Sequence, residues 1–304
     1  MQKCNENALY LIPLFSLSAK DMYTKENIEN LNREGVCMMN MSNQHIEEQA
    51  TKLARDLLGS RRIVLFGGAG TSTESGIPDF RSAGGVFDRE AAESTGKQYP
   101  YPPEVMVSSS YFEEDMEGFF TFYRDKLLYP EAKPNGCHRA LARLEQEGKL
   151  LAVITQNIDG LHQAAGSQEV LELHGSVHRN TCMSCQRTYE LAVVLDSPTV
   201  IPHCPACGGI LKPDVVLYGE VLDDDVITAA VRAVQQADLL IIAGTSLSVQ
   251  PAASFVRMRR PDAKLILMNR TATSIDSQAD TVYREPAGQL LEAAVHKMLQ
   301  MKAR

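Results

Sequence analysis

Apolar residues return along this chain in two rhythms, and each change of rhythm marks an element. Within residues 42–59, Ile46, Ala50, Leu53, Ala54, Leu57 and Leu58 recur at helical spacing behind Ser42-Asn43 and ahead of Gly59. That pattern predicts an amphipathic helix capped at both ends. Arg62-Ile63-Val64-Leu65-Phe66 then runs without alternation, as a strand buried on both faces does. The sequence repeats this alternation. A helix is predicted over 135–146, stopping at Gly148, before strands at 150–154 and 170–173. Another helix, over 223–236, leads to a strand at 238–243, and a further strand follows at 264–268. A last amphipathic helix faces inward with Leu290, Leu291, Ala294, Val295 and Leu299. Strands alternating with helices predict an α/β fold built on a doubly wound, parallel, Rossmann-like sheet.

Two stretches break the rhythm. Residues 83–133 carry Pro100, Pro102 and Pro103, a serine run at 108–110, and Phe112, Phe119, Phe120, Phe122 and Tyr123. Aromatic residues spaced i, i+3 and i+4 predict a helical insertion with its own small core. Residues 177–212 hold four of the seven cysteines. The expected organisation is therefore a core of 42–82, 134–176 and 213–300, with a smaller domain of two modules, 83–133 and 177–212. Residues 1–41 stand apart as an N-terminal extension, expected to be poorly ordered. Ala8 to Ala19 is apolar like a secretory h-region, but Pro13 interrupts it and the preceding residues offer only Lys3, beside Glu6. Met38, Met39 and Met41 lie just before the rhythmic region and offer later starts.

Composition narrows the class. The chain has 304 residues, 44% hydrophobic and 22% charged, with no Trp and a formal net charge of -8. An acidic surface disfavours nucleic acid and suits basic, lysine-rich polypeptide. No apolar run approaches the ~20 residues that span a bilayer, so no membrane partner is expected.

The candidate chemistry gathers where strands end. The first strand breaks into Gly67-Gly68-Ala69-Gly70 and Thr71-Ser72-Thr73, a turn of the kind that brings backbone and helix N-terminal amides to a pyrophosphate. Gly68 and Gly70 fit G-x-G, but Thr73 stands where a third glycine belongs. No acidic residue roughly 20 positions further on completes an ordinary dinucleotide fingerprint. Ile77-Pro78-Asp79-Phe80-Arg81 then places an acid, a ring and a guanidinium on a proline-stiffened loop, either a site lid or a surface turn. Gln156, Asn157, Ile158 and Asp159 follow a strand at its carboxyl end, where open α/β sheets bind ligands. His174 ends the next strand, ahead of Gly175, and a group titrating near neutrality there suits general-base work. His162, His178 and His203 read as incidental. Lys212 to Glu220 offers either an edge for an added substrate strand or an ordinary edge. Gly244-Thr245-Ser246 is a second strand-to-glycine turn, and Asn269-Arg270 ends another strand.

Cys182-x-x-Cys185 and Cys204-x-x-Cys207 are separated by the 18 residues 186–203. Two such pairs at this separation fit one tetrahedral zinc ion, and four thiolates leave no open position, so the zinc is structural. Cys4, Cys37 and Cys137 are unpaired singles, which argues for reduced thiols.

Taken together, GAGTSTESGIPDFRS (68–82), the Gln156-Asn157-Ile158-Asp159 run, His174-Gly175, the cysteine pairs and GTSLSVQPAA (244–253) resemble the sirtuins of the single-domain bacterial type. The likeness covers about residues 44–300. Sirtuins are NAD-dependent protein-lysine deacetylases (deacylases), and the resemblance implies that activity here, with NAD and one structural zinc. It implies catalysis by His174 and Asn157. Cofactor contacts would come from Gly68, Ala69, Gly70, Ser72, Thr73, Asp79, Phe80, Arg81, Gln156, Asn157, Ile158, Asp159, His174, Gly244, Thr245, Ser246, Asn269, Arg270 and Ala287. Val215, Val216 and Gly219 would line the acylated polypeptide, with part of the acyl-lysine channel in 83–133. Sirtuins that remove succinyl groups carry a Tyr-x-x-Arg pair in that insertion. Here the pair falls near Phe120 and Tyr123, with Arg124 one place off, so acetyl and other uncharged acyl groups are expected. A cytoplasmic monomer is expected, since export would forfeit NAD and endanger the thiols. Mono-ADP-ribosyl transfer and plain NAD hydrolysis use the same cofactor and stand as alternatives.

Overall fold

The computed structural model describes residues 44–79, 85–86, 99–247 and 252–304. The N-terminal extension, Phe80 and Arg81 lie outside the described residues, as does part of the first insertion. Six strands form one sheet: β1 (Ile63–Gly67), β2 (Leu150–Thr155), β3 (Val170–Glu172), β7 (Leu239–Ala243), β8 (Lys264–Met268) and β9 (Thr281–Tyr283). Their order is β3-β2-β1-β7-β8-β9 and every pairing is parallel. The chain winds outward from β1 in one direction, then restarts at β7 and winds outward in the other. That is the doubly wound arrangement, and its switch point lies between β1 and β7.

Alternation along the strands sorts the core into two layers. Ile63 and Leu65 of β1 join Val153, Leu239, Ile241 and Ile266 under the helix at 44–59 and the helices Gly136–Gln146 and Ala287–Lys302. Val64 and Phe66 face the other way, with Leu240, Ile242, Leu265 and Leu267, against helix Asp224–Gln236. Both faces are covered, which is why these strands read as unbroken apolar runs. Asn135 and Asp223 cap their helices through side-chain oxygens, one residue before each helix begins. In the first helix Leu53, Ala54 and Leu57 are buried, whereas Leu58, expected in the stripe, is 36% exposed.

The insertions form a second body. Helices Pro103–Met106, Ser109–Glu114 and Met116–Lys126 enclose Phe112, Phe119, Phe120, Phe122 and Tyr123 in a core of their own. Phe119 stacks on Tyr123 at 5.7 Å between centroids, while Phe112 meets Phe119 edge-on at 5.0 Å. Beside them lies a three-stranded sheet, β5-β4-β6, from β4 (Gly175–Cys182), β5 (Thr188–Tyr189) and β6 (Leu211–Val215). β6 pairs antiparallel with β4, Val215 opposite Gly175. The expected return to the main core at residue 213 therefore falls inside a strand of the small sheet. Pro213 is tolerated because β6 has β4 on one side only. Among the described residues no helix is long and apolar enough to cross a membrane.

Candidate functional site

The switch point brings two glycine turns together. One follows β1 at Gly68, the other follows β7 at Gly244, and they interlock through backbone. The amide of Gly68 donates to Ala243 O at 3.1 Å and that of Gly70 to Gly244 O at 2.8 Å. A Cβ on Gly70 would stand 2.6 Å from Gly244 Cα, and one on Gly68 would stand 2.8 Å from Thr245 Cβ. These glycines are required by the approach of one turn to the other. Their amides are spent inside the protein, which departs from the pyrophosphate role expected of them. Nor does a long helix follow the first turn. Two three-residue 3-10 turns, Ala69–Thr71 and Thr73–Ser75, stand there, closed by Gly76 at φ +83°. The hydroxyls of Thr71 and Thr73 donate to Gly68 O and Gly70 O and compete with a regular helix.

Above this junction lies a cleft of about 1160 Å³. It is lined by Ala69, Gly70, Ser72, Thr73, Asp79, Gln156, Asn157, Ile158, Asp159 and His174. Gly244, Thr245, Ser246, Asn269, Arg270 and Ala287 line it as well, as do Val215, Val216 and Gly219. Gly68 lies beneath the lining. Asn157 Nδ2 donates to Thr71 Oγ1 at 3.1 Å and Ser72 Oγ at 3.0 Å, and the Ser72 hydroxyl donates onward to Asp159 Oδ2 at 2.6 Å. Asp159 Oδ1 accepts the Leu161 amide at 2.9 Å and so fixes the turn into the short helix Leu161–Ala164. Thr245 donates its hydroxyl to Gln156 Oε1 at 2.8 Å, tying the end of β2 to the end of β7. Asn269 Nδ2 is held by Thr245 O at 2.9 Å.

His174 stands between the two bodies. Its Nδ1 lies 2.9 Å from Gln156 O. A carbonyl only accepts, so in the neutral ring Nδ1 carries the proton and Nε2 keeps its lone pair. Burial lowers the pKa of the ring, against a smaller opposing effect of the Gln156 bond. Neutral His174 is thus equipped to accept a proton at Nε2. The next residue must be glycine: Gly175 has φ +76°, and a Cβ there would overlap Asp214 O.

Sequence reasoning missed several supports. His178, incidental by sequence, places Nε2 3.0 Å from Asp159 O and occupies the space a side chain at Gly160 would need. His162, also incidental by sequence, is 1% exposed and packs on His138. His203 sits in the ribbon, against Gly208 O. Asn135, at the start of a predicted helix, also donates Nδ2 to Thr71 O at 2.8 Å and Ser75 Oγ at 3.0 Å. A cap side chain with a second polar end is the one signal that pointed there. The segment 216–219 is less open than an edge strand: Tyr218 N donates to Val107 O, and Tyr218 O accepts from Ser109 N. Phe120 and Tyr123 are buried away from the cleft, and Arg124 donates to Thr199 O and Val200 O. Lys126 is the cation of that helix that reaches the lining, beside Asp125 at 3.4 Å.

The four cysteine sulfurs of the ribbon lie within 4.8 Å of one another, with Cys182–Cys207 at 3.5 Å and Cys185–Cys204 at 3.7 Å. Zn–S bonds of about 2.3 Å in a tetrahedron put sulfurs about 3.8 Å apart. The donor set fits zinc, and the sulfurs stand well beyond the roughly 2.05 Å of a disulfide. For a dinucleotide, the fitting observation is Gln156 Nε2, a buried donor without a partner among the described residues, beside the cleft.

A match to the Sir2 family spans residues 68–251. An NAD-dependent protein deacetylase of Clostridium acetobutylicum is 50% identical over 248 residues, covering 82% of this chain and 98% of the relative. A crystal structure of a Sir2 homologue in complex with NAD superimposes with a TM-score of 0.70 at 37% identity, covering 82% of this chain and 94% of the other. A Sir2 structure holding a deacetylated p53 peptide and 3'-O-acetyl ADP-ribose gives a TM-score of 0.71 at 34% identity, covering 80% and 96%.

Proposed function

The chain belongs to the Sir2 family, and from that premise we propose that it is an NAD-dependent protein-lysine deacetylase. The reaction consumes NAD and one water, takes an acetyl group from a lysine side chain, and yields free lysine, nicotinamide and O-acetyl-ADP-ribose. NAD supplies the ADP-ribosyl electrophile and nicotinamide as its leaving group. One zinc ion, held by Cys182, Cys185, Cys204 and Cys207, stabilises the ribbon and takes no part in the chemistry.

The observation that carries this reading is His174, held in one tautomer by Gln156 O. It accepts a hydroxyl proton at Nε2. Asn157, fixed by Thr71 and Ser72, positions the reacting centre with Asp159 and Gln156, and Ile158 packs against the nicotinamide end. Ala69, Ser72, Thr73, Thr245 and Ser246 hold the phosphates and riboses over a floor of Gly70 and Gly244, with Asn269, Arg270 and Ala287 at the adenosine end. The family resemblance assigns Asp79, Phe80 and Arg81 to the ribose. An amide oxygen is a poor nucleophile, so the site must position it and exclude water. The acylated polypeptide lies along Val215, Val216 and Gly219. Lys126 already faces Asp125, which favours uncharged acyl groups. The core domain and the two-module small domain meet at this cleft. Zinc thiolates require reduced cysteines, which favours the cytoplasm. The enzyme acts as a monomer on protein, not nucleic acid.

Purified protein should release nicotinamide from NAD only with an acetyl-lysine peptide, and His174→Ala should lower the rate by about 10²–10⁴. Equal release without peptide would make the protein an NAD hydrolase. Transfer of ADP-ribose onto added protein would make it a transferase.

A further inference from the structure

His138 and His162 form a buried pair beneath the site, and their hydrogen bonding does not close. His138 Nδ1 accepts the Asn135 amide at 3.2 Å as part of the cap on helix Gly136–Gln146. The neutral ring must then carry its proton on Nε2, and that N–H is buried with no acceptor. Next to it, at 4.6 Å between centroids and tilted by 59°, lies His162, both of whose nitrogens are buried without a partner among the described residues. A donor lacking an acceptor thus lies against a ring that has a lone pair to offer. Buried polar groups left unpaired are costly, and native proteins rarely keep three together. An N–H···N bond between the two rings would satisfy both. Both rings stay neutral at neutral pH, because burial opposes charge. Asp159 pulls His138 the other way, with Arg139 acting with burial.

The pair has a position that matters. His138 holds Asn135, which holds Thr71 O and Ser75 Oγ on the glycine turn. His162 stands three residues after Asp159, just past the turn that its carboxylate fixes. Ser72 and Asp159 join the same two segments on the cleft side. We propose that His138 and His162 are positioning residues, a hydrogen-bonded ring pair that ties the Asn157–Asp159 segment to the glycine turn from below. The link to NAD rests on the reading given under Proposed function; the link between the two segments does not.

The test compares His162→Phe, which keeps a ring and loses both nitrogens, with His162→Gln, which keeps a donor and an acceptor. Hydrogen exchange is followed at the Leu161 amide, bonded to Asp159 Oδ1, and at the Val177 amide, bonded to Ile158 O. In His162→Phe these two amides should exchange about 10-fold faster, while those of Leu65 and Ile241 in the main sheet keep their protection. His162→Gln should restore protection. In turnover, His162→Phe should raise KM for NAD about 10-fold with kcat little changed, and His162→Gln should recover it. If His162→Phe does not fold, His162→Leu, which offers neither donor nor acceptor, replaces it with the same expectation. Unchanged exchange at Leu161 and Val177, a uniform rise across the core, or equal effects of Phe and Gln would each overturn the proposal. A wild-type protein that does not turn over NAD would refute the deacetylase reading, and the exchange measurement would still decide this one.

Discussion

At the scale of single residues, the site rests on side chains whose second bond does the positioning. His174 is useful because Gln156 O claims its other nitrogen, and Asn157 because Thr71 and Ser72 hold its amide. The chemical residues themselves were legible in the sequence, since a polar run directly after a buried apolar strand falls where such sheets meet their ligands. Their supports were not. Asn135 and Thr71 are 64 positions apart, and nothing local marks His162 as buried. Gly175 shows how narrow the tolerance is. Replacing it with Ala forces a side chain onto Asp214 O and into a left-handed backbone conformation. We expect Gly175→Ala to cost about 2–5 kcal/mol from strain and overpacking combined. It should also lower kcat, because His174 is displaced with it. Denaturant melts read beside turnover rates would check both, and a stable, active variant would contradict this account of His174.

At the scale of elements, period decided most of the outcome. The strands at 63–67, 150–155, 239–243 and 264–268 were readable because both faces are buried, so no polar alternation blurs them. Two stretches took a form other than the expected one. The turn after β1 looked like the start of a helix, but threonine hydroxyls and Gly76 divide it into two short turns. Residue 213 looked like the return to the main core, but it lies in β6, whose partner β4 belongs to the ribbon body. Strand partners are set by tertiary contacts that no local pattern encodes. The ribbon should depend on its metal, since the buried cluster around the cysteines is small: Cys182, Cys204 and Leu211, with Tyr189 and Val193 packed against it. A strong chelator should remove one zinc per chain and melt β4, β5 and β6, leaving the six-stranded sheet folded. Metal analysis with circular dichroism would show this, and loss of both bodies together would argue that they do not fold separately.

At the scale of the whole molecule, the parallel sheet opens a crevice at its switch point and the second body roofs it. The doubly wound class followed from the count of strands and helices. The contact between the bodies did not, because on the second body's side it runs through Val177, His178 and Arg179, which carry no signature. The net charge of -8 acts at this scale too. A peptide with lysines flanking the acetyl-lysine should be captured faster at low salt, and its kcat/KM should fall several-fold between about 0.05 and 0.5 M salt. A peptide with neutral flanks should respond little. Identical salt profiles would mean that the acidic surface is not near the entrance.

The interlock of the two glycine turns also bears on how this site can be inherited. A Cβ on Gly70 would strike Gly244 Cα, and a Cβ on Gly244 would overlap Thr71 N. Each position forbids a side chain because of the other turn's backbone, not its side chains, so altering one never makes room to alter the other. No sequence of single tolerated substitutions leads away from this pair. The two halves of the sheet can drift elsewhere, but at this crossing they must descend together.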